Sequence, residues 1–211
     1  MPGIFITLEG LDGSGKSTQA RLLLDWVRRQ GRPVRLTREP GGTEVGAQLR
    51  ALVLSPDNRI TPEAELFLYL ADRSLHVAQV IRPALEAGEI VICERHTDST
   101  LAYQGYGRGL DLELLGRLNR LATGGLLPDL TIVFDITPSQ ARLDATRLDR
   151  LESEGNEFGE RVAEGFRALA RADPRRIALV DGRGDIDAVH AEVTKLVSGI
   201  LRKRQVTDGQ D

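Results

Sequence analysis

Lysine is scarce in this chain: 3 lysines stand against 25 arginines, the 28 basic residues together. Arginine holds planar oxyanions bidentately, so the bias suits phosphate ligands. It equally suits a GC-rich genome, and composition does not separate the two. Cysteine occurs once, at Cys93. An intrachain disulfide and a cysteine-rich zinc site are thereby excluded, and a reducing compartment is expected. Cys93 lies in the apolar run EIVICE and is expected to be an inert core residue. No run approaches the 18 or so apolar residues of a membrane span, and the first ten residues lack the pattern of a signal peptide. Net charge is −3, so no global basic field points to nucleic acid.

What remains is a globular composition, 41 % apolar and 28 % charged, over 211 residues. That length suits one domain with a substantial core. Five runs rich in Val, Ile, Leu and Thr predict strands: IFITLE (4–9), PVRLT (33–37), EIVICE (89–94), LTIVFDI (130–136) and RIALVD (176–181). Their near-continuous apolar character predicts a parallel sheet covered on both faces. Helices are expected between them, over 16–30, 44–54, 62–87, 111–122, 138–147, 157–172 and 186–202. The third has Thr61 as N-cap, Pro62 at its first position and acids in its first turn. The last places Ile186, Val189, Val193, Leu196, Val197 and Ile200 on one stripe. Alternating strands and helices give an α/β three-layer fold. The Gly-rich segment YQGYGRGL (103–110) and the charged segment 147–156 are expected at the surface, able to move. Residues 203–211 are expected to form a disordered tail after a single domain over 1–202.

The string from Gly10 through Leu11, Asp12, Gly13, Ser14, Gly15 and Lys16 to Ser17, with Thr18 following, fits G-x-x-x-x-G-K-[ST] between a strand and a helix. Such a P-loop cradles nucleotide phosphates on backbone N–H groups at a helix start. Lys16 is expected to bridge the β- and γ-phosphates and Ser17 to ligate Mg²⁺. The motif fixes a nucleoside triphosphate site without saying kinase, ATPase or switch. A GTPase would carry N-K-x-D, which is absent, and DGRG (181–184) lies after the last strand. A motor ATPase would end a long strand in paired acids, whereas here strand three ends ICERH, one acid and then Arg95. An arginine at a strand tip facing the P-loop suggests a second anion. A kinase acting on a nucleotide needs that arrangement, since two like-charged phosphates must meet.

With EGLDGSGKST (9–18), TREPGGT (37–43), YLADR (69–73), ERHTDSTLAYQGYGRG (94–109) and LDRLE (148–152), the sequence resembles the thymidylate kinase family over nearly its whole length. The resemblance implies ATP + dTMP ⇌ ADP + dTDP for dTTP synthesis, in a homodimeric, cytoplasmic enzyme with no nucleic-acid or membrane partner. It implies that Arg38 grips the dTMP phosphate with Glu39 steadying the site. Tyr69 and Arg73, four apart on one helical face, are expected at the base: a stacking ring and a donor to a carbonyl oxygen. Phe67, Leu70, Leu75 and Ala78 lie largely on another face. The family usually has Phe where Tyr69 stands, and Asp where Glu94 stands. Glu94 is expected to reach the Mg²⁺, through water, or to hold Arg95. Arg95 is expected on the acceptor phosphate, Ser99 and Thr100 at the base edge, Tyr103 beneath the sugar and Gln104 on the nucleotide; His96 is expected to be structural. Asp12 is expected to accept from the dTMP 3′-hydroxyl.

The nucleophile is a phosphate oxygen, largely ionised at neutral pH because a monoester's second pKa is about 6. No general base is needed, and catalysis is alignment plus charge neutralisation. Residues 142–156 correspond to the family's lid. Gly13 leaves the P-loop without a basic side chain there, so the catalytic arginine is expected in the lid, at Arg147 or Arg150. Arg142 and the loop 181–185, with Arg183, are expected at the adenine. The rival readings are a kinase for another nucleotide or nucleoside and a nucleotide-binding module that does no chemistry.

Overall fold

A computed structural model of the chain describes residues 3–141 and 149–208. Five strands, β1 (Ile4–Gly10), β2 (Val34–Arg38), β3 (Ile90–Glu94), β4 (Leu130–Asp135) and β5 (Ile177–Asp181), form one parallel sheet in the order β2-β3-β1-β4-β5. The chain leaves β1 toward β2 on one side and later places β4 on the other. The mouth above the C-terminal end of β1 is therefore a topological switch point, where α/β sheets bind ligands.

Strand alternation divides the interior. Ile4, Ile6 and Leu8 of β1 face one way, into a core built with α1 (Lys16–Arg29) and α8 (Ile186–Asp208). Phe5 faces the other way, toward Val77, Ile81 and Ala84. On that second face, Thr7 and Glu9 are also buried, so polar groups run through the sheet toward the mouth. On the α8 stripe, Val189, Val193 and Val197 are buried, but Ile186, at the first turn, is half exposed.

The helix expected over 62–87 is one run: α3 (Pro62–His76), a π-helical turn (Val77–Ile81) and α4 (Arg82–Glu86). Thr61 caps it, its hydroxyl accepting from the Ala64 N–H. α2 (Glu44–Leu54) is capped likewise by Thr43.

Other expectations are corrected. The segment 103–110 is not a surface loop. After α5 (Thr97–Thr100) the chain winds as a π-helix (Leu101–Gly107) in which Tyr103, Gln104, Gly105 and Gly107 are buried. Its glycines serve close packing: a Cβ on Gly107 would lie 2.6 Å from the Phe158 ring of α7 (Asn156–Ala172). Of the helix expected at 138–147, Pro138–Gln140 form a 3₁₀ turn that ends at Ala141, and the rest, 142–147, lies outside the described residues. The described end of the lid holds another 3₁₀ turn, Glu152–Glu154. At the other end, α8 continues to Asp208, so residues 203–208 are helical where a tail was expected. The remaining helix, α6 (Leu112–Thr123), starts at its Asp111 cap. No helix among the described residues is long and apolar enough to cross a membrane.

Candidate active site

β1 delivers Gly10 to the sheet mouth, and the loop turns back so that α1 begins at Lys16. Gly13 sits at φ 72°, a left-handed conformation that favours glycine, which explains why no longer side chain stands there. The Lys16 ammonium is buried; Nζ donates to the Leu11 carbonyl at 2.6 Å and the Gly10 carbonyl at 3.2 Å. Burial and the nearby Arg95 charge pull its pKa down to about 8. Ser14 Oγ is buried with no partner, a polar atom in the loop left for a ligand. The Ser17 hydroxyl donates to Glu94 Oε2 at 2.5 Å. These two oxygens, one from the loop and one from the tip of β3, fit a hard cation that takes oxygen ligands.

Arg95, just past β3, has φ 68°, rare for a residue with a side chain. Its backbone is held on both sides: its own N–H bonds the Leu8 carbonyl at 2.9 Å, and the next N–H, of His96, bonds Glu9 Oε1 at 2.7 Å. The guanidinium donates to Asp12 Oδ1 at 2.7 Å, Ser99 Oγ at 3.1 Å and Tyr103 OH at 3.1 Å, and lies 4.9 Å from the Tyr103 ring centre. Asp12 is buried in part, which alone would raise its pKa; Arg95 and Lys16 outweigh this and hold the carboxyl well below its usual range. Glu9 is fully buried and accepts from Ser99 Oγ at 2.5 Å; burial and the neighbouring Asp98 push its pKa up to about 7.

Two adjoining clefts open over this group. Into one face Asp12, Gly13, Lys16, Ser17, Glu94, Arg95 and also Arg38 and Arg50. Four cationic side chains thus line one cavity, the condition for gathering oxyanions. The other cleft is bounded by Asp12, Tyr69, Arg73, Arg95, Ser99, Thr100, Tyr103 and Gln104, the residues expected around the acceptor except Arg38, which lines the first cleft. Arg50 borders both and donates to the Pro40 carbonyl at 3.1 Å. Sequence reasoning missed it, because one arginine on a helix looks like a solvated residue. Its signal was its place, two turns after the TREPGGT turn.

Arg73 is 2 % exposed and almost fully committed. Nε donates to Glu39 Oε2 at 2.8 Å, Nη1 to Thr100 Oγ1 and Asn119 Oδ1 at 2.7 Å each, and Nη2 to the His96 carbonyl at 2.8 Å. Of five guanidinium N–H groups, one is left for a ligand. Glu39 also meets His76 Nδ1 and His96 Nδ1, each at 3.0 Å. Burial opposes its charge, but His96 and Arg73 hold it well below the usual range. His96 is wholly buried in this network, under the site rather than in it.

Some expected residues are not brought together. Arg150 donates to the Val53 carbonyl at 2.9 Å and Glu65 Oε2 at 2.5 Å, and does not line the P-loop cleft. Arg183 pairs with Asp181 and lines a separate cleft with Asp135 and Arg167. Arg142 and Arg147 lie outside the described residues.

Comparison with known proteins places this geometry. The sequence model of the family described as thymidylate kinase matches residues 8–193. A thymidylate kinase of Synechococcus sp. (strain JA-2-3B'a(2-13)) is 53 % identical over 194 residues, 92 % of this chain and 94 % of that protein. One from Leifsonia xyli subsp. xyli is 51 % identical over 202 residues, 94 % of this chain and 96 % of that protein. The crystal structure of thymidylate kinase from Ehrlichia chaffeensis superposes with a TM-score of 0.78 at 36 % identity, covering 94 % of this chain and 99 % of that one. A P-loop facing an arginine-lined acceptor cleft, with likeness over nearly the full length, makes this chain a member of the thymidylate kinase family.

Proposed function

We propose that the chain transfers the γ-phosphoryl group of ATP to dTMP, giving ADP and dTDP. The observation that carries this reading is the pair of adjoining clefts joined by the Asp12–Arg95 ion pair at 2.7 Å. One cleft has P-loop donors; the other has an aromatic and polar lining. Lys16 and the loop N–H groups hold the donor phosphates. Arg38, Arg50 and Arg95 hold the acceptor phosphate, whose oxygen attacks phosphorus in line as the bond to ADP breaks. Ser17 and Glu94 would hold Mg²⁺, which supplies neutralisation of donor phosphate charge when bound. Tyr69 packs on the base, Arg73 donates to its 4-oxo group and Gln104 meets the ring N3–H. Tyr103 occupies the space beside the sugar, disfavouring a 2′-hydroxyl.

The lid role belongs to Arg147 or Arg150; for Arg150 it requires exchanging Glu65 for the ATP phosphates as the lid closes. Arg142 and Arg183 are assigned to the adenine. The chain is read as one domain that works as a homodimer in the cytoplasm, with neither nucleic acid nor membrane as partner. Steady-state turnover on dTMP, dUMP, dCMP and CMP with Mg-ATP tests the substrate assignment: dTMP should lead. Equal rates with dTMP and CMP, or ATP binding without dTDP formation, would defeat it.

A further inference from the structure

Beyond its bond to Arg150, Glu65 has no part in the assignments above, yet it is wholly buried beside Gln104 of the acceptor cleft. Four hydrogen bonds converge on it. Oε1 accepts from Gln104 Nε2 at 2.8 Å and Arg108 Nε at 3.3 Å; Oε2 accepts from Arg108 Nη2 at 3.0 Å and Arg150 Nη2 at 2.5 Å. Arg108 is itself held by Glu154 at 2.6 Å. With two guanidinium groups on it, the carboxylate stays ionised: burial would raise its pKa, but the bonds from Arg108 and Gln104 outweigh that.

An ionised carboxylate only accepts hydrogen bonds. The Gln104 amide must therefore turn its nitrogen toward Glu65, which leaves its carbonyl oxygen directed elsewhere. Gln104 borders the acceptor cleft together with Arg73. We propose that Glu65 is the positioning residue that sets the base preference of the acceptor site, by fixing the Gln104 amide with its oxygen toward the base. This rests on the acceptor reading above. A keto pyrimidine presents an N3–H donor next to a 4-oxo acceptor, matching the fixed Gln104 oxygen and the donor-only Arg73. A cytosine presents an unprotonated N3 and a 4-amino group, setting acceptor against acceptor and donor against donor. A free Gln104 amide would rotate and match the cytosine N3; Glu65 removes that option.

The experiment compares kcat/KM for dTMP and dCMP in the wild type and in Glu65→Gln. A glutamine at 65 can donate as well as accept, so the constraint on Gln104 is lost. The two substrates share sugar and phosphate, so damage to the fold, to Arg150 or to phosphoryl transfer cancels in their ratio. The dTMP preference should fall at least about tenfold, chiefly through KM. A wild-type preference that Glu65→Gln keeps to within about twofold would overturn the inference alone. A wild type with no preference would overturn the substrate reading and this inference together. Should the variant not fold, hydrogen exchange decides in the wild type. The Gln104 side-chain NH₂ should exchange slowly with and without dTMP; exchange as fast as in a solvated amide would overturn the proposal.

Discussion

Asp12 looks out of place inside a loop that binds anions, and its neighbours give the reason. It sits between Arg95 at 2.7 Å and Lys16 at 3.7 Å, so it neutralises two cations that would otherwise repel each other before substrates arrive. Its second oxygen accepts at 3.4 Å from the hydroxyl of Tyr103, the residue proposed to lie beside the sugar. Asp12→Ala should therefore raise KM for dTMP more than KM for ATP, by about tenfold or more, in initial-rate measurements with each substrate varied; equal changes would remove Asp12 from the acceptor side. Glu9 gives a pH signature. Its carboxyl is shifted from 4.5 to about 7, so between those values the folded chain keeps a proton that the unfolded chain has released. Stability from this group is complete below about 4.5 and declines as pH rises through 7. His96, whose pKa is lowered by burial, acts in the opposite direction below 6.5. The difference between wild type and Glu9→Gln isolates Glu9: urea unfolding at pH 5 and pH 7.5 should show the variant's stability relative to wild type improving at the higher pH. A difference independent of pH would refute the assignment.

Elements were legible in the sequence where period and caps agree. All five strands stand where their β-branched runs predict, and Thr61 and Asp111 start their helices. The expected surface loop at 103–110 fails for a long-range reason: YQGYGRGL is glycine-rich locally but is buried because α7 packs onto it. The site divides the same way. Lys16, Ser17 and the loop follow from local spacing, and the acceptor set followed from the family resemblance. Glu9, Arg50 and Glu65 were missed because their meaning lies in partners 39 to 90 positions away, or in a cavity between elements. The lid is the element whose role most depends on motion. Arg150 is bonded to Glu65 in this arrangement, yet its proposed work is at the phosphates. Arg150→Ala should lower kcat at least about tenfold with a smaller change in the dTMP Kd. Stopped-flow single turnover and calorimetry separate the two; a loss confined to dTMP binding would make Arg150 only a partner of Glu65.

At the scale of the whole molecule, the outer surface of α2 and α3 is less polar than a solitary chain requires. Val45 and Leu52 on α2 are 50 % and 46 % exposed, and Phe67 on α3 is 61 % exposed. Phe67 was grouped by periodicity with Leu70, yet Leu70 is buried and Phe67 faces outward. Exposed large apolar side chains on two helices fit an interaction surface, and a second copy of the chain is the partner proposed above. The position matters for chemistry, because Phe67 precedes Tyr69 by two residues and Arg73 by six on the same helix. A partner packed on the outside of α3 would stiffen the element that carries the proposed base contacts, Tyr69 and Arg73. Phe67→Asp places a charge on that surface without touching the cleft. Sedimentation velocity should show the wild type as a dimer at micromolar concentration and the variant as a monomer, and the monomer should show a raised KM for dTMP with KM for ATP little changed. A wild type that sediments as a monomer would remove the homodimer from the proposed function. A monomeric variant with unaltered KM for dTMP would leave assembly without a role at the base pocket.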